Sequence, residues 1–271
     1  MLELIAGLPP GSRVLDLGAG GGSFHTERHD LAIVRVDLAI RASRGPGSYV
    51  AADAAHLPFA SQSFDLIVSN HSLEHFPELE AALAEVGRVM RAGGVFFVAV
   101  PDAATLTDRI YRWMGRGGGH VNAFRSAGQV AGSVERLTGL PHRGTLPLYS
   151  SLSFLNAFNR TGRPQIKSVL FAFGNERFLA VLNWILRRLD RRFGARLSQY
   201  GWSFHFGNVE LPNGRKPWIN VCVRCGSGYP ETFLKEAGAV PERPGNFQWY
   251  RCPPCGGANL LFGVEDSDPY E

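Results

Sequence analysis

The sequence has no cysteine outside two Cys-x-x-Cys pairs, and its only lysines are Lys167, Lys216 and Lys235. No apolar run approaches the ~20 residues of a membrane span. No basic segment followed by an apolar stretch opens the chain, so no secretory signal is visible. No internal repeat is evident. The net charge of +4 is carried by arginine. A diffuse excess of that size, without a basic stripe, is poor support for a nucleic-acid partner. With 271 residues, 45% of them hydrophobic, the chain can bury a sizeable core as one domain or as one domain with a small appendage.

What is present begins with the cysteines. Cys222, Cys225, Cys252 and Cys255 form two pairs, each followed by glycine, in Cys225-Gly226 and Cys255-Gly256. Two residues between ligands let one tight turn present both sulfurs to a single ion, which is zinc-site spacing. Four thiolates close a tetrahedral coordination sphere, so the zinc expected here is structural. A redox or disulfide pair is the alternative, weakened by there being two pairs. Reduced thiolates favour a cytoplasmic setting.

The other strong signal is Val14-Leu15-Asp16-Leu17-Gly18-Ala19-Gly20-Gly21-Gly22. An apolar run stops at an acid and turns through glycines, which reads as a buried strand feeding a turn whose backbone approaches a ligand. Asp37 ends the next apolar run. Strand, glycine turn, helix, strand and acid form the plan of a nucleotide-type site, and a dinucleotide site shares it. The third glycine of the dinucleotide fingerprint, counted from Gly18, is here Ser23.

Strands are predicted near 13–17, 32–36, 49–52, 63–69 and 95–100. A short helix is expected over 23–30, and a longer one opens at Pro77, runs through Leu79, Leu83, Val86 and Met90, and stops at Gly93-Gly94. Arg44-Gly45-Pro46-Gly47 and the Gly115–Gly119 segment read as loops. Beyond Pro101 the rhythm breaks. A helix is expected over 126–137, a strand within 145–155, a strong helix over 178–193 with four arginines near its end, and a late strand over 218–223. Alternation of strands and helices implies an α/β fold: a Rossmann-like, doubly wound, mainly parallel sheet with a long insertion after strand five and a small C-terminal zinc ribbon. The expected organisation is a core over 1–102, an insertion over 103–217 that completes the fold and forms an acceptor lid, a last strand plus ribbon over 218–263, and a tail over 264–271.

Five segments in order resemble the class I S-adenosylmethionine-dependent methyltransferases, in particular the ubiquinone- and menaquinone-biosynthesis type. They are the glycine turn at 14–22, Val36-Asp37-Leu38, the 52–59 segment from Ala52-Asp53 to Pro58-Phe59, the 63–69 strand with Leu73-Glu74-His75, and the 83–94 segment ending in Gly93-Gly94. The resemblance covers about the first hundred residues. It implies that Gly18, Ala19, Gly20 and Gly22 lie against the methionine and ribose part of S-adenosylmethionine. Asp16 would hold that turn and the cofactor's amino group. Asp37, with Leu38 beside it, would bind the ribose hydroxyls. Asp53 would receive the adenine amino group and Ala54 offer its N–H, while Ser69 and Asn70 border the methionine end. Plain structural readings stand beside these: a strand-end cap for Asp37, a turn cap for Asp53, a purely structural Asp16.

In-line methyl transfer needs orientation and, for a hydroxyl acceptor, a base. His120, His75 and His71 are the candidates, with Glu74 and Asp102 nearby in sequence. The short lead-in and short first helix depart from the family pattern, so the 103–217 insertion is expected to cover the acceptor. Its aromatics (Tyr111, Trp113, Phe124, Tyr149, Trp184 and Trp202 among them) would line an apolar or sugar-stacking pocket or serve as ordinary core. The 178–193 helix is expected to pack in the core, with a peripheral membrane contact as the lesser reading. The function expected is O-methylation of a small molecule or glycan. The alternatives are RNA or protein methylation with the ribbon as recognition module, and a binding protein without turnover.

Overall fold

The computed structural model describes residues 1–39, 47–115, 119–159, 174–211, 219–241 and 247–263. The loop at 44–46, residues 116–118, Trp218 and the 264–271 tail lie outside the described residues. The chain forms two compact units: residues 1–103, 119–146 and 201–213, and residues 104–118, 147–200 and 214–271.

A seven-stranded sheet has the order β3-β2-β1-β4-β5-β7-β6. Its strands are β1 (Arg13–Leu17), β2 (Ala32–Asp37), β3 (Ser48–Ala51), β4 (Phe64–Asn70), β5 (Met90–Pro101), β6 (His142–Tyr149) and β7 (Gln199–Gly207). β1 pairs in parallel with β2 and β4, β2 with β3, and β4 with β5. β7 runs antiparallel to β5. This is the Rossmann-like fold expected. The central strands are apolar on both faces, as a covered parallel sheet requires: Val14, Leu15, Leu17, Leu66, Ile67, Val68, Phe96 and Val98 are all fully buried.

In the first unit, α1 (Leu2–Ala6) is the short lead-in, and α2 (Leu79–Val89) and α4 (Ala127–Thr138) pack together. Ala82, Leu83, Val86 and Val89 form the buried stripe of α2, and Val130, Ala131 and Val134 that of α4. Gly87 permits the approach, since a Cβ there would lie 2.6 Å from the Thr138 carbonyl oxygen. α4 begins on Ser126, whose hydroxyl accepts from the Gln129 N–H, and ends on Gly139 at φ 70°.

Three sequence expectations fail here. No helix forms over 23–30, because that segment's polar groups are spent elsewhere. The Ser23 N–H goes to Asp16, the Phe24 carbonyl accepts from Arg35, and the Arg28 guanidinium binds Asp30 and the carbonyls of Ala6 and Leu8. The α2 helix stops at Val89, and Met90 already belongs to β5, with Gly93 and Gly94 inside the strand. Finally, the last strand of the sheet is β7. Among the described residues of the region expected as a late strand, Asn220–Val221 alone pairs, and it pairs with Gly228–Tyr229. Trp202, Phe204 and Phe206 on β7 are buried sheet core rather than pocket lining.

The second unit contains α3 (Leu106–Gly115), α5 (Glu176–Phe193), α6 (Glu231–Glu236) and two hairpins, β8 (Asn220–Val221) with β9 (Gly228–Tyr229) and β10 (Trp249–Arg251) with β11 (Ala258–Leu260). Leu179 and Ala180 of α5 share a core with Leu152, Leu155 and Val223, so the cysteine-bearing hairpins pack on this helix. The arginine end of α5 is not a bare cationic patch. Arg187 is buried, donates to the Ser150 carbonyl at 3.1 Å and is pushed down to about 10 by burial. Arg188 and Arg191 lie over the Phe262 ring.

Candidate functional site

The glycine turn leaves the carboxyl end of β1, beside the carboxyl end of β4. The chain order reverses between these two strands, and such switch points open the crevice in which α/β sheets bind ligands. Gly18 has φ 69°, and a Cβ on it would collide with Ser72. Ser72 donates from Oγ to the Leu17 carbonyl at 2.8 Å and pairs with the Ser69 hydroxyl, so both serines fasten the turn from below. The Ala19 N–H bonds the Val36 carbonyl at 2.9 Å. A Cβ on Gly20 or Gly21 would meet nothing within 4 Å. That open backbone face is the cradle a ligand would fill.

Asp16 and Arg35 are both 0% exposed and form an ion pair beneath the turn. Asp16 Oδ2 also accepts the Ser23 N–H at 2.9 Å. The Arg35 guanidinium reaches the Phe24 carbonyl at 3.0 Å and lies 4.7 Å from the Phe24 ring centroid. Asp16 is therefore first a structural residue, though its Oδ1 is buried without a hydrogen-bond partner among the described residues. Asp37, at the end of β2, accepts the Gly20 N–H on Oδ2 at 2.7 Å, which ties the acid to the cradle. Leu38 beside it is 72% exposed. Asp53 is exposed and caps its own turn, accepting the Ala55 N–H on Oδ1 at 2.9 Å, with Ala54 buried next to it. Asn70 is half-buried at the end of β4, while the Ser69 hydroxyl faces Ser72.

The three histidines assemble in the first unit. His71 follows β4 directly and has φ 56°, a left-handed conformation uncommon for a residue with a side chain. Such strain recurs at functional sites. Its Nδ1 lies 3.6 Å from Glu74 Oε1. Glu74 is buried in a single helical turn over Leu73–His75, and its Oε2 has no hydrogen-bond partner among the described residues. A distant strand of chain is stapled over this turn. Val121 and Asn122 N–H groups donate to the Glu74 carbonyl, and the Asn122 amide donates to the Leu73 and Phe76 carbonyls. The staple sets His120 edge-on to His75, ring centroids 4.8 Å apart. Ligating atoms of Glu74, His75 and His120 all lie within 4.8 Å of one another.

The second unit holds the four cysteines. Their sulfurs all lie within 4.8 Å of one another, with Cys222–Cys255 and Cys225–Cys252 each at 3.6 Å. A disulfide would need about 2.05 Å. A tetrahedron of sulfurs about 2.3 Å from one ion has edges of roughly 3.8 Å, so the cluster has the dimensions of a four-thiolate site. The two turns repeat one geometry. Gly226 and Gly256 N–H groups donate to the Cys222 and Cys252 carbonyls, and the Cys222 and Cys252 N–H groups to the carbonyls of Ser227 and Gly257. Arg224 N–H and the Asn259 amide face the Cys222 sulfur at 3.4 Å. Glu176, at the start of α5, binds Arg224 at 2.6 Å with one oxygen and the Ala258 N–H at 2.7 Å with the other, joining both hairpins.

Sequence reasoning missed Arg35, Ser72 and Asn122. Only Arg35 left a trace, as one charge inside the apolar run of β2; the other two act through long-range contacts.

Residues 15–98 match the family described as the methyltransferase domain. The chain is 36% identical over 146 residues to a malonyl-[acyl-carrier protein] O-methyltransferase of Methylococcus capsulatus, covering 47% of this chain and 53% of that one. It is 37% identical over 101 residues to a demethylmenaquinone methyltransferase of Renibacterium salmoninarum, covering 34% and 43%. The chain thus spans about half the length of the curated relatives it matches. Among solved structures it is similar to an S-adenosylmethionine-dependent methyltransferase from Archaeoglobus fulgidus, with 19% identity over 76% of this chain and 90% of that one and a TM-score of 0.49. The segment that carries the glycine turn is thus similar to methyltransferase domains.

Proposed function

We propose that the chain binds S-adenosylmethionine at the Gly18–Gly22 cradle and transfers its methyl group to a hydroxyl of a small molecule or glycan. The observation that carries this reading is the link from the Gly20 N–H to Asp37 across an otherwise open glycine face. Asp37 takes the ribose hydroxyls, the exposed Leu38 covers the adenine, and Asp53 with the Ala54 N–H meets its polar edge. The unpartnered Asp16 Oδ1 and Asn70 face the amino-acid end. In this cofactor a sulfonium carries the methyl group, so the transferred carbon is already activated.

The protein's task is to orient the acceptor and receive its proton. His71 would take the hydroxyl proton on Nε2 as the sulfur–methyl bond gives way to an oxygen–methyl bond and a neutral thioether is left, and its Nδ1–H would face Glu74, which would hold the resulting imidazolium. A base so placed contributes about 10²–10⁴-fold. Hydroxyl methylation is supported by the histidine cluster at the end of β4, and transfer to oxygen by the O-methyltransferase named above. Calorimetric titration with S-adenosylmethionine should show saturable binding, and labelled cofactor should pass its methyl to members of a hydroxylated acceptor panel. Absence of saturable binding would sink the reading.

The four cysteines hold a structural zinc ion in this proposal. Elemental analysis should find it at the cluster, and Cys222→Ser should lose it and melt the second unit early, since metal binding energy is folding energy in such sites. Among the described residues no helix is long and apolar enough to cross a membrane.

A further inference from the structure

We propose that Glu74, His75 and His120 form a second metal site, for a divalent first-row transition ion, at the carboxyl end of β4. Neither family resemblance nor cysteine spacing asks for this site. It rests on one carboxylate and two imidazoles whose ligating atoms all lie within 4.8 Å of one another. Ligands about 2.0–2.2 Å from a shared ion sit roughly 3.0–3.5 Å apart, so side-chain adjustments of about 1–2 Å close the set.

Two features point to a cation in particular. Glu74 is 1% exposed, and its Oε2 has no hydrogen-bond partner among the described residues. Holding a carboxylate oxygen there is costly unless a donor or cation meets it. Second, His75 Nδ1 lies 3.1 Å from the Gly119 carbonyl. Nδ1 must then be the donor, which leaves the lone pair on Nε2. A backbone carbonyl fixing the tautomer of a ligating histidine is the usual outer support of a metal site. The same segment that supplies Gly119 supplies His120, and it is held by the Asn122 bonds to Leu73 and Phe76. The support and the third ligand therefore arrive together.

Two imidazoles and one carboxylate suit iron(II), manganese, cobalt, nickel or zinc better than calcium. With three protein ligands, positions remain open for the acceptor. An acceptor with two neighbouring oxygens would fill them, and the ion would lower the pKa of the hydroxyl to be methylated. Glu74 Oε1 stays toward His71, so the proton acceptor and the ion share one carboxylate. This role toward the acceptor rests on the functional reading above; the existence of the site does not.

The test uses the full chain with its cysteine cluster loaded with zinc. Cobalt(II) titration should show one further saturable equivalent, with weak visible bands and no sulfur-to-metal charge transfer. His120→Ala and Glu74→Gln should each weaken that equivalent by about tenfold or more while keeping the zinc. His75→Ala, an exposed ring, replaces any variant that does not fold. No further saturable binding, or binding unchanged in the folded variants, would overturn the site. Cobalt binding without any S-adenosylmethionine binding would overturn the functional reading and leave the site standing.

Discussion

His205 is a buried titratable group that ties the stability of the sheet to pH. It lies on β7, is 1% exposed, and meets the Phe97 ring edge-on at 5.3 Å. Burial is the largest cause that pushes its pKa down, to about 4 from the ordinary 6.5, helped by the N-terminus and His142 and opposed by the Gly144 backbone. The folded state therefore resists a proton that the unfolded chain takes up readily. Its stability is fully present above pH 6.5 and is lost as pH falls from there toward 4. Integrated between about pH 7.5 and about pH 4.5, the loss is about 2.5 kcal/mol. Urea melts of the wild type and of His205→Phe at both pH values isolate the term, because the other titrating groups are common to both. The wild type should lose about 2.5 kcal/mol more than the variant on acidification. Parallel losses would show that His205 is protonated in the fold without penalty, and the reasoning would fail.

Other consequences are equally direct. Arg35→Met leaves the Asp16 carboxylate buried without its partner; it should destabilise the protein by about 3–5 kcal/mol, read from the urea midpoint. Asp37→Ala removes the acceptor of the Gly20 N–H and the expected ribose ligand; calorimetry should show S-adenosylmethionine binding weakened by about 1.5–3 kcal/mol, with the melting temperature nearly kept. Glu176 is held below its ordinary pKa: burial opposes ionisation, but hydrogen bonds from Arg224 and the Ala258 N–H outweigh it. Glu176→Gln should therefore loosen the cysteine hairpins at neutral pH. That penalty should fade as pH falls through the depressed carboxylate range, since stability from such a group is present above about 4.5 and lost below it. Hydrogen exchange across residues 220–229 would record both effects.

The sequence by itself determined the parts whose chemistry is local. An apolar run that stops at glycines marks β1 as a buried strand turning sharply, and short apolar runs ended by polar residues or proline mark β2, β4 and β5. Two Cys-x-x-Cys-Gly turns carry their own geometry, and the fold brings the two pairs of sulfurs together. The acids at 16, 37 and 53 were visible because each ends or interrupts an apolar strand. What the tertiary structure alone decided depends on partners far away in the chain. The 23–30 segment has helical length, yet Asp16 and Arg35 claim its polar groups. The last strands of the sheet come after a long stretch without strand signals, and β7, which alternates Trp202, Phe204 and Phe206 with Ser203 and His205, lies buried and pairs antiparallel with β5. His120 stands 45 positions from His75 in the sequence, and only the Asn122 staple brings their rings together. Local patterns fix the cysteine turns, whose hydrogen bonds span a few residues, whereas the glycine cradle is also held by Val36, Asp37 and Ser72 from further along the chain. The histidine cluster needs loop closure over tens of residues, and no short pattern encodes that.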